Sequence, residues 1–202
     1  MISSYNTIQS CRRCGTCCQK GGPTLHVEDK IVMDDVLSPD ALVTFRKGEL
    51  AYHPVKGMLI ELPYDMIKIK GKIGGFTCIF FKESTNSCLI YENRPIECKT
   101  LECWNPDPLI SMFLKDLLNR KMIFKDKTLR EIFEEYDRLF APSLIRRLVA
   151  LHDTNGLMDL ERKDQEFRNK LKKSCPLKEN AYDALLGRPV SVLREAFESV
   201  HL

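Results

Sequence analysis

The chain has 202 residues, 44% hydrophobic and 29% charged, with a formal charge of +3 and nine cysteines. That is the profile of an ordinary folded protein able to bury a real core, so the cysteines are not needed merely as staples for a tiny fold. The small net charge, with basic and acidic residues interleaved along the second half, argues against nucleic acid as the principal partner.

The first ten residues lack a basic region followed by an apolar run of signal-peptide length, and no stretch reaches membrane-spanning length. The expected location is therefore cytoplasmic, with no membrane partner. In that reducing setting cysteines read as metal or redox ligands more readily than as disulfides.

Cys11-Arg12-Arg13-Cys14-Gly15-Thr16-Cys17-Cys18 places four thiols in eight residues. Two C-x₂-C steps put three of them on a tight loop able to curl around one ion or cluster. If that loop is extended, neighbouring side chains diverge, so Cys17 and Cys18 are not expected to serve one centre together. Gly15 suits a position needing positive φ.

Gly21-Gly22-Pro23 signals a turn and Thr24 to Val27 a short strand. Glu28 to Leu37 predicts a short helix, and Ser38-Pro39-Asp40 predicts the start of another carrying Leu42, Val43 and Phe45. Met58 to Leu62 and Met66 to Lys70 read as strands. Phe76 to Tyr91 reads as two short strands joined by a polar loop, with Cys78 and Cys88 near the same end. Asn93-Arg94-Pro95 then opens a helix bearing Cys98, with Cys103 five residues on.

From Asn105 the character becomes helical. Asp107 and Pro108 predict a helix start, with Ile110, Phe113, Leu114, Leu117 and Leu118 as one apolar stripe. Thr128 and Glu131 fit a capping box ahead of Leu129, Ile132, Phe133, Tyr136, Leu139 and Phe140. Pro142 opens a further helix that Gly156 is expected to end, Leu157 to Lys173 is a charged helix, and Gly187-Arg188-Pro189 separates two last short ones. The expected fold is α+β, with a cysteine-rich metal-binding region at 1–105 holding a small antiparallel hairpin. A helical region at 106–202 is expected to pack on it and share its core.

Eight of the nine cysteines precede residue 104. Burial of thiols as small hydrophobes does not explain C-x₂-C-x₂-C-C, and adjacent cysteines are awkward to bridge to each other. The expected ligands are Cys11, Cys14, Cys17, Cys18, Cys78, Cys88, Cys98 and Cys103, enough for two four-ligand sites or one with surplus thiols. All-sulfur surroundings suit zinc or an iron–sulfur cluster. The C-x₂-C-x₂-C run resembles half of a bacterial ferredoxin motif, which favours a 4Fe–4S cluster, and a second zinc knuckle is missing. Arg12, Arg13, Arg94 and Lys99 are placed to offset thiolate charge, Arg94 pairing with the cluster or with Glu92 to hold Cys98.

The cysteine loop, followed by Cys78 and then by Cys88-Leu89-Ile90-Tyr91-Glu92-Asn93-Arg94-Pro95-Ile96-Glu97-Cys98, resembles the CxxCxxCC zinc- or iron-chelating domain family, the YkgJ-type cysteine cluster proteins. It is also similar to the flagellin lysine-N-methylase group. The resemblance covers the first half and implies a small metal- or cluster-binding domain; a protein that moves electrons, handles metal or senses redox state is the first functional reading. The similarity to the methylases implies, as the alternative, a cluster-dependent protein-modifying enzyme. A structural zinc module whose C-terminal helices bind a partner protein is the third reading. No G-x-G-x-x-G, G-x-x-x-x-G-K-[ST] or H-E-x-x-H pattern assigns a reaction, and C-x₃-C-x₂-C fails after Cys18.

Of the histidines, His26 lies nearest the loop and reads as a surface or strand-end residue, with replacement of a thiolate as its functional alternative. His152 falls at a helix end and His201 near the end of the sequence. Tyr91 reads as a core aromatic with its hydroxyl at the surface. Cys175, before Pro176, reads as a packing residue between helices and as the first substitute for a missing ligand.

Overall fold

Strand β4 (Met66–Ile69) is paired along both edges and buries Met66, Ile67 and Ile69, so the front of the molecule is arranged around it. On one side it runs antiparallel to β1 (Leu42–Phe45), with Leu42 opposite Ile69 and Phe45 opposite Met66. On the other, Leu25 N–H donates to Ile67 O and Ile69 N–H to Pro23 O, with Thr24 bridged to Lys68. This apolar strand has both edges satisfied and no exposed backbone ladder. The structure is a computed structural model that describes residues 11, 13–175 and 177–200. Residues 1–10, Arg12, Pro176 and His201, on which sequence expectations fell, lie outside it.

Between β1 and β4 the ribbon continues as β2 (Leu50–His53) and β3 (Met58–Glu61), joined by hydrogen bonds through Glu49 and Leu62. Pro39–Ala41 is a single 3₁₀ turn, so the helix expected to carry Leu42, Val43 and Phe45 is instead strand β1. The run Leu-Val-Thr-Phe fits the pleat, alternating between buried and half-buried positions. The short helix α1 (Thr16–Gln19) precedes this ribbon, as does α2 (Lys30–Asp35). The expected Phe76–Tyr91 hairpin is β5 (Phe81–Lys82) and β6 (Ser87–Cys88), only two residues each, closed by a 3₁₀ turn and Asn86 at φ +49°.

Helix α3 (Ile96–Thr100) bears Cys98 and is followed by α4 (Asp107–Met112). The stripe expected to run on to Leu118 breaks because Leu114 and Asp116 adopt φ of +60° and +45°. The chain turns there, and Leu118 N–H pairs with Leu25 O. Next come α5 (Arg120–Ile123), α6 (Lys127–Leu139), α7 (Pro142–Ala150), α8 (Thr154–Ser174), α9 (Tyr182–Leu186) and α10 (Val190–Glu198). Asp126, not Thr128, caps α6 by accepting from Leu129 N–H. Gly156 does not end α7; it lies in the first turn of α8, where its N–H donates to the cap Asp153.

Helix α9 is buried through Tyr182, Ala184, Leu185 and Leu186 and lies on β1, where Thr44 Oγ1 donates to Ala184 O at 2.6 Å. One hydrophobic cluster thereby joins Leu25, Leu42 and Ile67 to Phe133, Tyr136, Leu185 and Leu193. With 49% helix, 15% strand and the strands confined to the front half, the fold is the expected α+β arrangement. Among the described residues no helix is long and apolar enough to cross a membrane.

Candidate metal centre

The amino-terminal thiols are carried on a loop that Gly15 shapes. Its φ of +77° turns the chain into α1, and its missing side chain lets the loop press against the Phe81 ring and Asn86 of the β5–β6 hairpin. Asn86 Nδ2 donates to Arg13 O at 3.1 Å, Arg13 N–H approaches Cys11 Sγ at 3.4 Å, and Cys14 Sγ lies 3.3 Å from Thr16 Oγ1. Cys17 and Cys18 occupy a helical turn, about 100° apart around its axis, and not an extended chain. Both line the same cavity.

Cys78 N–H donates to Cys18 O at 2.7 Å, which joins the loop to the second cysteine segment. Cys88 stands opposite Phe81 in the hairpin. Cys98 is positioned through helix α3, whose start is fixed from afar: Asp29 Oδ1 accepts from Ile96 N–H at 2.7 Å. Glu97 Oε2 accepts from Thr24 N–H at 2.6 Å, tying the same helix to the segment beside β4. Cys103 lies beyond α3, in a turn that bridges Glu102 to Asn105.

The outcome is one cavity of about 680 Å³ whose wall includes Cys11, Cys14, Cys17, Cys18, Cys78, Cys88, Cys98 and Cys103. All nine cysteines are thiols, none in a disulfide among the described residues. Among those residues, too, no three His, Cys, Asp or Glu side chains close on a single ion; the thiols surround a volume. Cys175 caps α8 and packs beside the hydrophobic cluster. It is not part of the cavity wall.

Burial raises the Cys18 thiol to about 12, with the neighbouring thiols of Cys17, Cys78 and Cys88 adding to the effect. Burial likewise pushes Cys98 and Cys78 up, each reinforced by other thiols of the group. Such a crowd of sulfurs resists ionising without a cation to share the charge. Basic groups stand close by: Lys68, whose ammonium is pulled down by burial against the influence of Glu97 and Cys98, and Lys72, which acts on Cys78. Arg94 and Arg13 hold their guanidinium carbons 3.7 and 4.0 Å from the centroid of the Tyr91 ring. Arg94 Nε donates to Tyr91 O at 2.7 Å, so backbone and ring of Tyr91 are its partners here. Tyr91 itself lines the cavity wall.

His26 departs from expectation. It is buried, with Nδ1 2.9 Å from Lys115 O and Nε2 3.4 Å from Glu97 Oε1, and it is absent from the cavity wall. Its N–H donates to Asp29 Oδ2, so His26, Asp29 and Glu97 form a polar knot behind Cys98. Sequence reasoning missed Asp29, Glu97 and Lys68, because the contacts that tie them to helix α3 or its neighbours join residues distant in sequence, Asp29 to Ile96 and Glu97 to Thr24 among them. The close packing of Gly15 on Phe81 was equally out of reach.

The eight thiols on the wall are donors of the kind zinc or iron takes, with Lys68, Arg94, Glu97 and Glu102 lining the same cavity. The fold and this cavity define a cysteine-rich chelating domain with helices packed on it. Residues 10–126, over half of the chain, match the family described as "CxxCxxCC: Putative zinc- or iron-chelating domain", and the chain belongs to that family. The match runs past the eight cysteines of the cavity to the cap of α6 and stops short of Cys175. No curated protein and no solved structure matches the chain. Metal binding is its general role.

Proposed function

We propose that the protein holds an iron–sulfur cluster in this cavity through the cysteines that line it, and serves electron transfer or redox sensing. The observation that carries this reading is that eight thiols from five places along the chain line one cavity of about 680 Å³. Single-ion zinc sites draw four sulfurs to within about 2.3 Å of one point, whereas a cluster is gripped by sulfurs spread around a larger core. The C-x₂-C-x₂-C spacing of Cys11, Cys14 and Cys17 supports the same choice. Arg94 is a positioning residue that fixes the Tyr91 wall and sets positive charge beside the thiolates. Bound there, a cluster supplies one-electron chemistry.

Anaerobic purification followed by iron, zinc and acid-labile sulfide analysis, with visible absorption, tests the proposal. Brown protein with matched iron and sulfide is expected. Colourless protein with stoichiometric zinc removes the cluster, and protein that takes up neither metal removes the centre altogether.

A further inference from the structure

The wall of the thiol cavity carries more than thiols. Two of its large apolar side chains stay in solvent, Phe76 at 81% and Trp104 at 40% of full exposure, and Leu89, between the wall residues Cys88 and Ile90, is exposed as well. A single apolar side chain on a surface needs no explanation, but several around one opening mark a contact face. The cations of the wall divide by depth: Lys68 and Arg94 are half-buried, whereas Arg13, Lys20 and Lys99 are exposed. Arg13 lies against the Tyr91 ring, and Lys20 and Lys99 have no ion pair among the described residues. The carboxylates of the same wall, Glu97 and Glu102, are half-buried, and Glu97 is engaged by Thr24 N–H and His26. Among the wall's lysines, arginines and carboxylates, those in solvent are therefore all positive, although the whole chain carries only +3.

We propose that this rim is the docking face for an acidic partner protein, whose carboxylates meet Arg13, Lys20 and Lys99 and whose apolar patch covers Phe76 and Trp104. Charge complementarity fixes the sign of the partner, since a basic surface would set like charges against the three cations. The apolar side chains among those cations fix its class. A protein face with an apolar centre and a polar edge buries both kinds of group, whereas a nucleic acid backbone is met by cations alone. The inference rests on the reading of the cavity as a redox centre and adds to it the partner. Docked there, the acidic protein covers the exposed Cys11, Cys14, Cys17 and Cys103, the solvent side of that centre.

Trp104 is the single tryptophan of the chain, so its emission reports on the rim alone. The full-length protein as purified is titrated with a synthetic peptide of glutamate and interspersed leucine, with the lysine counterpart of that peptide, and with a single-stranded thymine oligonucleotide, each at low and at high ionic strength. The acidic peptide is expected to move Trp104 emission to shorter wavelength until it saturates, with affinity about tenfold weaker at high salt. Lys20→Glu combined with Lys99→Glu is expected to weaken binding by about tenfold or more. Lys170→Glu combined with Lys173→Glu changes the net charge equally, at exposed positions of α8 outside the cavity, and should stay within about twofold of wild type. Circular dichroism checks that both variants fold. No saturable shift with the acidic peptide, equal or tighter binding of the lysine peptide, an equal loss in the α8 variant, or a preference for the oligonucleotide overturns the docking face. Iron, zinc and sulfide analysis of the same preparation judges the centre separately. Iron and sulfide without peptide binding removes the partner and leaves the centre, and peptide binding without either metal removes the centre and leaves the face.

Discussion

Gly15 and Phe81 meet so closely that one added carbon has no room: a Cβ on Gly15 would lie 2.3 Å from Phe81 Cζ and 2.7 Å from Asn86 Oδ1. The φ of +77° at Gly15 is itself unfavourable for any residue with a side chain. Gly15→Ala is therefore expected to lift the cysteine loop off the β5–β6 hairpin, costing roughly 2 kcal/mol from backbone strain and overpacking together. The metal-free variant should unfold at lower urea, and the loaded one should surrender metal to a chelator faster. Wild-type behaviour in both measurements would show that the loop is not seated on Phe81.

Arg94→Lys tests the wall formed by Tyr91. The arginine stacks at 3.7 Å from the ring centroid and donates its Nε to Tyr91 O, and lysine has neither the planar fork nor that Nε–H. A loss of about 1 kcal/mol is expected from stacking and hydrogen bond combined, with faster metal release. A double-mutant cycle with Tyr91→Leu separates the two contributions: the coupling disappears if Arg94 acts through charge on the centre alone.

How much of this was legible beforehand depended on whether the signal was local. Helices α6 to α10 declared themselves through periodic apolar residues, Pro142 and the Gly187 break, all short-range features. Leu42–Phe45 was misread because Pro39 does start a helical turn, and only pairing with β4 decides that the chain then extends. Leu114 continues an apolar stripe in sequence yet takes a left-handed conformation that ends the helix pattern. The convergence of cysteines was readable from their crowding before residue 104. The knot of His26, Asp29 and Glu97 was not, because apart from the local His26–Asp29 bond its contacts join residues 67 to 89 positions apart.

That knot gives a pH dependence of definite sign. Burial works against a charged His26, but the Glu97 carboxylate and the Lys115 carbonyl outweigh it, and the net pKa is raised above the ordinary histidine value. A proton bound more tightly in the folded than in the unfolded chain stabilises the fold fully below pH about 6.5 and loses that effect as pH rises through the folded value. Burial also raises the Asp29 carboxyl above its ordinary value, against the pull of its hydrogen bonds from His26 and Ile96. Urea midpoints of wild type should therefore fall relative to those of His26→Gln between about pH 6 and 8. Glu97→Gln should abolish most of that slope. A parallel pair of curves for wild type and His26→Gln would contradict the assignment.

Arg188 and Glu49 bind the ribbon to the last helices through a buried charge. Glu49 is fully inaccessible, and Arg188 Nε and Nη2 both donate to its Oε2, at 2.8 and 2.6 Å. Burial raises the Glu49 carboxyl, against the opposing pull of Arg188 and Arg46. Arg188→Leu removes the closest counter-charge and leaves Arg46, whose Nε is 3.8 Å from Oε1, as the remaining partner. A stranded buried carboxylate of this kind costs roughly 3 kcal/mol or more, and the loss should shrink as pH falls and Glu49 takes up a proton. Glu49→Gln in the Arg188→Leu background should recover part of the stability at pH 7, because the buried carboxylate is then gone while Arg46 keeps Asp137 as a counter-charge at 3.5 Å. If the double variant is no more stable than Arg188→Leu alone, packing of the arginine stem against Phe45, over which its guanidinium lies at 4.3 Å, is the larger contribution.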